Sequence, residues 1–134
     1  MGRPKVGASV QCTALSSSTH KLRHAILLAM SQTYFLRLQP PRATFAHDLN
    51  AEERQLMQQH AAYARSFFER GKLLVYGPVF DPEGSFGIAV LLTEEEAELH
   101  DFIANDPTVL AGLNRYTYAP MLLGGSQPPP SPNN

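Results

Sequence analysis

The chain has 134 residues, a mass of 14.8 kDa and a formal net charge of −1, with 43% hydrophobic residues, one cysteine and no tryptophan. This length fits a single soluble domain. No apolar run approaches the roughly 20 residues of a membrane-spanning helix, and Cys12 alone cannot form an internal disulfide. Zinc ribbons and cysteine-bound iron clusters need several thiolates, so they are excluded as well, and we expect no metal site.

The near-zero net charge is a sum over three unlike segments. Residues 1–30 carry four basic residues and no acidic one, residues 31–123 carry a net charge of −5, and residues 124–134 are uncharged and rich in proline. We expect a disordered basic leader over 1–30, or a start codon placed too early with Met30 as the true start. Its composition also fits organellar targeting. The folded domain should then span 31–123 in a cytoplasmic protein, followed by a disordered tail.

The predicted elements begin with a short β-rich run at residues 33–38, closed by Pro40 and Pro41. Asn50 and Glu53 have the spacing of a capping box, which predicts that a helix starts here. That helix should end at Gly71, since glycine is favoured just past a helix end. His47 falls in the intervening loop.

The second half of the chain has a similar pattern. Residues 73–79 and 86–92 are predicted strands, joined by a type I turn at Asp81-Pro82-Glu83-Gly84. Thr93 and Glu96 have the spacing of a second capping box and predict a helix to about Asn105. Asp106 can cap one further turn that starts at Pro107 and runs to residue 113. Residues 115–121 form the last predicted strand.

The resulting order β-α-β-β-α-β is that of the ferredoxin-like fold, an α+β architecture. Right-handed crossovers place both helices on one face of a four-stranded antiparallel sheet. The middle strands, LLVYGPV and FGIAVLL, are apolar on both faces, although one face has no helix to cover it. Because large exposed apolar patches usually mark interfaces, we expect a homodimer that pairs the two open faces. The alternative is that small residues make the uncovered face of the sheet weakly apolar, so that it remains exposed to solvent.

His60 and Asp106 are the residues most suited to proton transfer. His60 interrupts an apolar stripe of its helix, and a histidine side chain titrates near neutrality. From position alone, a hydrogen-bonded core histidine is the more frequent case. Asp106 precedes a proline, where an ordinary helix cap is expected. If the two side chains meet, the carboxylate would orient the ring and stabilise its protonated form.

Other residue patterns are less informative. Arg37, Arg42 and Arg115 flank strand ends and could hold an anionic substrate, although solvated surface arginines are the ordinary case. No glycine-rich phosphate loop and no serine or cysteine nucleophile motif is present. Tyr116 and Tyr118 alternate on the last strand, but the acidic domain and its scattered basic residues argue against nucleic-acid binding. We therefore expect neither a nucleic-acid nor a membrane partner.

Three segments together resemble the YCII-related (YciI-like) proteins. They are QQHAAYARSFFERGKLL with His60, VYGPV with Gly77 and Pro78, and NDPTVLAGL with Asp106. The opening YFLRLQPPRATFAHDLNAEERQLMQQHAAY resembles a subgroup of this family with a longer loop, so the resemblance covers about two-thirds of the chain. Neither the leader nor the proline-rich tail is part of it.

The resemblance implies a dimeric α+β barrel with His60 and Asp106 as the active-centre pair, near the turn at Gly77 and Pro78. It also implies a cofactor-free enzyme acting on a small organic substrate, aromatic compounds included, by proton-transfer elimination, isomerisation or hydrolysis. We expect Tyr63, Tyr76 and Arg37 to line the pocket with Gly77 and Pro78. The competing hypothesis is a non-catalytic dimer that binds a metabolite or has a regulatory role.

Overall fold

The computed structural model describes residues 19, 21, 22 and 31–128. The chain divides into two units, Met1–Ser31 and Gln32–Asn134, and all four strands of the sheet belong to the second. The predictions for the leader fall almost entirely outside the described residues, as does the end of the tail. Within the described part, no helix is both long and apolar enough to cross a bilayer.

The described part of the second unit contains four strands and four helices. In chain order they are β1 (Gln32–Gln39), α1 (Phe45–Asp48), α2 (Ala51–Glu69), β2 (Leu73–Val79), β3 (Phe86–Thr93), α3 (Glu96–Ala104), α4 (Pro107–Leu110) and β4 (Arg115–Met121). The strands form one antiparallel sheet in the order β2-β3-β1-β4. This is the arrangement of the ferredoxin-like fold, so the predicted fold class is confirmed.

The hydrophobic core lies between the sheet and the two long helices. Leu36 of β1, Leu99 and Phe102 of α3 are almost completely buried there, and they pack with Ala64 of α2. Successive strand residues point to opposite faces, so alternate residues of β1 enter this core. Both helices therefore cover the same face of the sheet, as predicted.

The start and end of α2 follow the predicted local signals. The Asn50 side chain accepts a hydrogen bond from the Glu53 amide at 2.8 Å, and the Asn50 amide donates to the Glu53 carboxylate at 3.2 Å. These bonds satisfy two amides that have no partner within the helix. After the helix, Gly71 takes a φ of +75°, which a residue with a β-carbon adopts only with strain. The predicted capping box and glycine stop are confirmed.

The second predicted capping box is wrong. Thr93 is the last residue of β3, and its hydroxyl donates to the backbone oxygen of Gln32 at 3.2 Å on the neighbouring strand. Helix α3 starts three residues later, and Glu95 in its cap position makes no side-chain capping bond. The carboxylate of Glu98 instead accepts from the Glu94 amide at 2.9 Å. Thr93 thus belongs to the sheet, although the local spacing predicts that it caps the helix.

The connection between β1 and α2, residues 40–49, which we call the strap, contains the helix α1 that the sequence did not predict. The predicted loop position of His47 is therefore wrong, since this residue lies in α1. The Arg42 guanidinium contacts Asp48 at 2.7 Å and makes a bidentate pair with Glu53 at 2.8 and 3.0 Å. These bonds tie the strap to the first turn of α2.

The Arg42 guanidinium holds the pKa of both Asp48 and Glu53 below its usual range through these hydrogen bonds. Buried Phe45 of the strap lies beneath the cluster, with the Arg42 guanidinium 5.2 Å from the centre of its ring. The ionic cluster consequently fixes a hydrophobic side chain at the position where the strap meets the core.

The face of the sheet opposite the helices is called the open face. Phe35 of β1 and Val75 of β2 lie on it, at either side of Val90 in the register, and they are 39% and 50% exposed. Arg37 lies on the same face, with its guanidinium 3.7 Å from the centre of the Phe86 ring. The apolar second face that the strand sequences predict is present.

We predict that Arg42→Met releases the strap without unfolding the sheet. Amide hydrogen exchange at residues 45–48 should become faster, because the side chain that joins Asp48 to Glu53 is lost. Arg65→Met is the matched control, since within the described residues the ion pair of Arg65 is an exposed one with Glu69 at 3.2 Å. Equal exchange at residues 45–48 in both variants would show that the ionic cluster does not hold the strap.

Candidate active site

A cavity of about 390 Å³ lies between α2, the sheet and the strap. The strap contributes Pro40, Phe45, Ala46 and Leu49 to its wall, and α2 contributes Met57, His60, Ala61 and Ala64. Most of the wall is apolar. The polar side chains among the described lining residues are those of His60, Tyr76, Ser85, Asn114 and Tyr116, and none of these residues is an aspartate, glutamate, lysine or arginine.

His60 and Asp106 are brought together although 46 residues separate them in the chain. The Nδ1 atom of His60 lies 2.7 Å from Oδ2 of Asp106. The Asp106 side chain has no exposed surface, whereas that of His60 keeps 18% of its surface exposed. Helix α2 therefore places the His60 ring in the wall of the cavity. Asp106, the residue before α4, binds the ring through Nδ1.

Every oxygen of the Asp106 carboxylate is hydrogen-bonded. Oδ2 also accepts from the Tyr116 hydroxyl at 2.6 Å. Oδ1 accepts from the Thr108 amide at 2.9 Å and from the Thr108 hydroxyl at 2.7 Å, and the first of these bonds is the cap of α4. One carboxylate thus joins α2, α4 and β4. Its Oδ1 caps α4, and its Oδ2 binds His60 and Tyr116.

The balance of burial and hydrogen bonding keeps Asp106 ionised. Burial acts to raise the pKa of this carboxyl, but the bonds from His60 and Tyr116 outweigh it and hold the pKa below its ordinary value of 3.8. Burial, followed by the negative charge of Asp106, raises the pKa of Tyr116, so its hydroxyl stays protonated and donates. The carboxylate is therefore an acceptor only, which assigns the proton of the neutral His60 ring to Nδ1.

This tautomer leaves Nε2 of His60 as the unprotonated, basic nitrogen. In the described part of the chain, no protein group makes a hydrogen bond to Nε2. Since Nδ1 faces Asp106 and the residue lines the cavity, Nε2 lies on the side of the ring that is turned away from the carboxylate. A molecule in the cavity can therefore contact a basic nitrogen whose ring is oriented by the Asp106 carboxylate on its other side.

The other residues proposed from sequence divide into two groups. Tyr76, Gly77 and Pro78 line the cavity, as expected. Tyr63 does not line it, because α2 turns its ring into the core, where its hydroxyl donates to the backbone oxygen of Phe102 at 2.8 Å. Burial and the Asp106 charge raise the pKa of Tyr63 to about 12. Arg37 lies on the open face of the sheet, so it does not line the cavity either.

Sequence reasoning missed three residues of the site. Thr108 has a local signal, because an Asp followed two residues later by Thr is a common helix-start pattern. Tyr116 and Asn114 have none, since their roles depend on contacts across the fold. Within the described residues, no group of three or more metal-ligating side chains is assembled.

Comparison with known protein families gives a match to the YCII-related domain over residues 33–122. The chain belongs to this family. The match covers the four helices and the four strands apart from Gln32, the first residue of β1, and it includes His60 and Asp106. A comparison with curated proteins gave no significant match.

Among solved structures, the chain is similar to a 5-chloro-2-hydroxyhydroquinone dehydrochlorinase of Burkholderia phenoliruptrix, solved in complex with 2,5-dihydroxybenzoquinone. The two are 20% identical with a TM-score of 0.48, over 68% of this chain and 95% of that one. An uncharacterised protein of Thermotoga maritima is 14% identical, with a TM-score of 0.42, over 69% of this chain and 99% of that one. A cofactor-independent oxygenase of Streptomyces nogalater, solved as a mutant, is 14% identical, with a TM-score of 0.40, over 74% and 98%.

We predict that Asp106→Asn lowers the free energy of unfolding by about 2 to 3 kcal/mol at neutral pH, because an amide cannot accept the four bonds that the anion accepts. The pKa of Asp106 is lower in the folded chain than its ordinary value of 3.8, so the carboxylate contributes fully above that pH. This contribution is lost as the pH falls below it. Urea denaturation from pH 7 to pH 3 should therefore give a flatter pH dependence for the variant.

Asp101→Asn is the control, since Asp101 is exposed on α3 and its side chain makes no bond to the dyad. Superimposable curves for Asp106→Asn and the wild-type chain would contradict the structural role of this carboxylate.

Proposed function

We propose that this YCII-related protein is a cofactor-independent enzyme in which His60 transfers a proton to or from a small, uncharged organic substrate. The observation that carries the proposal is the His60 ring itself. Its Nδ1 lies 2.7 Å from a carboxylate without exposed surface, and the residue lines an apolar cavity of about 390 Å³. The reaction class is elimination, isomerisation or hydrolysis through general acid-base catalysis.

Asp106 supports this chemistry in two ways. Its bond to Nδ1 fixes the ring orientation and the tautomer, so the basic Nε2 is available at the cavity without rearrangement. When Nε2 takes a proton, the ring becomes a cation beside a buried anion, and this pairing stabilises it. Tyr116 keeps the same carboxylate in place through its 2.6 Å bond. Dyads of this kind supply about 10²- to 10⁴-fold of rate acceleration through proton transfer.

The lining of the cavity favours an uncharged substrate. No lysine or arginine is among the described lining residues, so a carboxylate or phosphate group would lose its hydration without gaining an ionic partner. The Arg42 guanidinium does not fill this role, because Asp48 and Glu53 occupy its donors outside the cavity. A cavity of this size accepts a molecule of one or two rings.

We predict that His60→Asn abolishes proton transfer while leaving ligand binding intact. 2-Tetralone is a suitable probe, since it is an uncharged two-ring ketone with acidic C–H groups. The wild-type chain should accelerate the exchange of these hydrogens for solvent deuterium, followed by NMR, and His60→Asn should reduce this acceleration at least about 100-fold. Asparagine can still donate to Asp106 from the position of Nδ1, which preserves the local fold.

Tyr76→Phe serves as the control, because it changes the same wall without removing a base. Unchanged exchange in His60→Asn would refute a base role for His60. Binding of 2-tetralone by the wild-type chain without accelerated exchange would favour the non-catalytic metabolite-binding alternative.

We further propose a homodimer that pairs the open faces of two sheets. Phe35, Val75 and Met121 lie on this face and are more than a third exposed, although each is a large apolar residue. Burying such a surface against a second copy removes it from water, and a domain of this size gains stability from that burial.

We predict that Phe35→Glu converts the dimer to a monomer, because a charge in the centre of an apolar interface has no partner. Sedimentation equilibrium should give twice the chain mass for the wild type and the chain mass for the variant. Leu110→Glu is the control, since Leu110 is 71% exposed on α4, away from the open face. A monomeric wild-type chain at high micromolar concentration would refute the dimer.

A further inference from the structure

A second concave surface of the molecule takes no part in the proposed function. This surface, which we call the groove, has a volume of about 420 Å³ and lies between the second half of α2, the end of β3 and helix α3. Its wall includes the apolar rings of Phe67 and Phe102 and the charged side chains of Arg70, Lys72, Glu98 and Asp101. Charged groups are thus part of the groove, whereas none lines the cavity of His60.

The groove is separate from the cavity. Phe102 lines both, and its ring lies 4.9 Å from that of Phe67, which lines only the groove, and 5.8 Å from that of Tyr116, which lines only the cavity. Arg70 follows His60 by ten positions, a distance of about 15 Å along a helix. A molecule bound beside Arg70 therefore lies away from the histidine.

The guanidinium of Arg70 is held in place and keeps donors free. It lies 4.3 Å from the centre of the Phe67 ring, and its Nε donates to the backbone oxygen of Ser66 at 3.3 Å. Within the described residues, no acceptor binds its two terminal nitrogens. Stacking on the ring orients the plane of the guanidinium, and its free donors form a fork that matches a carboxylate. Arg70 is therefore preorganised to bind an anionic group.

Helix α3 provides acidic side chains on the other side of the groove. Glu98 and Asp101 are three positions apart on this helix, so they share one of its faces. The Glu98 carboxylate pairs with the Lys72 ammonium group at 3.7 Å. No group in the described part of the chain binds the Asp101 carboxylate, since the contact of Asn105 is to the backbone oxygen of Asp101. Asp101 is thus available to a cationic group.

The charges of Arg70 and Asp101 act on the same point of the groove wall. Burial and the Asp106 charge are the main causes that raise the pKa of Tyr63, a residue of this wall, to about 12. Arg70 acts to lower this pKa and Asp101 acts to raise it, so both charges reach the Tyr63 hydroxyl. The described wall holds two basic and two acidic side chains in total. Such a wall favours neither a simple anion nor a simple cation.

We propose that the groove binds a small zwitterion, an α-amino acid with an apolar side chain. Its carboxylate pairs with the Arg70 guanidinium, its ammonium group pairs with the Asp101 carboxylate, and its side chain packs against the apolar part of the wall. Each charge of the ligand then has a partner of opposite sign. A simple anion would instead face the carboxylates of Glu98 and Asp101, and a simple cation would face Arg70 and Lys72.

Three probes of similar shape test this charge pattern. They are L-leucine, 4-methylpentanoate, which lacks its amino group, and 3-methylbutylamine, which lacks its carboxylate. Each is titrated into the full chain, and binding is followed by the amide NMR shifts of residues 98–105. L-Leucine should bind at least about threefold more tightly than either analogue, because it alone forms both charge pairs.

Two variants assign the two ends of the ligand. Arg70→Met should remove the preference for L-leucine over 3-methylbutylamine, and Asp101→Asn should remove its preference over 4-methylpentanoate. Both residues are exposed, so neither substitution disturbs the core. Arg65→Met is the control, because it removes a base of the same helix that does not line the groove, and it should leave all three affinities unchanged.

Equal affinity of the wild-type chain for L-leucine and one of its analogues would show a site for a simple ion and would overturn the proposal. Shifts confined to residues of the His60 cavity, or no shift up to about 50 mM L-leucine, would overturn it as well. His60→Asn should leave the three affinities unchanged. The zwitterion site and the proposed proton transfer can therefore fail independently.

Discussion

A carboxylate with no exposed surface organises this fold. Removing a charge from water is expensive, and Asp106 is stable as an anion only because four hydrogen bonds replace its hydration. The donors come from α2, from the first turn of α4 and from β4, so each of these elements must be in place for the charge to be tolerated. The arrangement that satisfies the carboxylate is therefore also the arrangement that holds His60 at the cavity.

Asp106 can be both a helix cap and a partner of His60, because each role uses a different oxygen of its carboxylate. Oδ1 accepts from Thr108 and caps α4, as any aspartate at a helix start would. Oδ2 accepts from His60 and Tyr116 and faces the site. A residue that is explained as a cap is thus not excluded from catalytic support. In the proposed function the second oxygen matters because its partner is a histidine, a residue type suited to proton transfer.

How much the sequence could predict depends on the distance over which each signal acts. Two capping boxes had the same spacing, yet only the one at Asn50 formed, because pairing with β1 keeps Thr93 in a strand. Strands, helices and their order follow from local periodicity and were predicted with few errors. The 2.7 Å contact of His60 with Asp106 joins residues 46 apart, and residue types alone indicate only that it could form. The bond from Tyr116 to Asp106 has no local signal either, because it joins β4 to the residue before α4.

The charged side chains of Arg42 and Asp106 lie near the cavity, but neither residue lines it. The Arg42 guanidinium is bound by Asp48 and Glu53, and Arg42 is not among the described residues that line the cavity. The buried anion of Asp106 lies behind the ring of His60, with no surface in the cavity wall. Inside, the medium is apolar and the interaction between a protonated His60 and Asp106 is weakly screened. In the proposed reaction, a proton on Nε2 would thus be close to a buried charge that does not line the cavity.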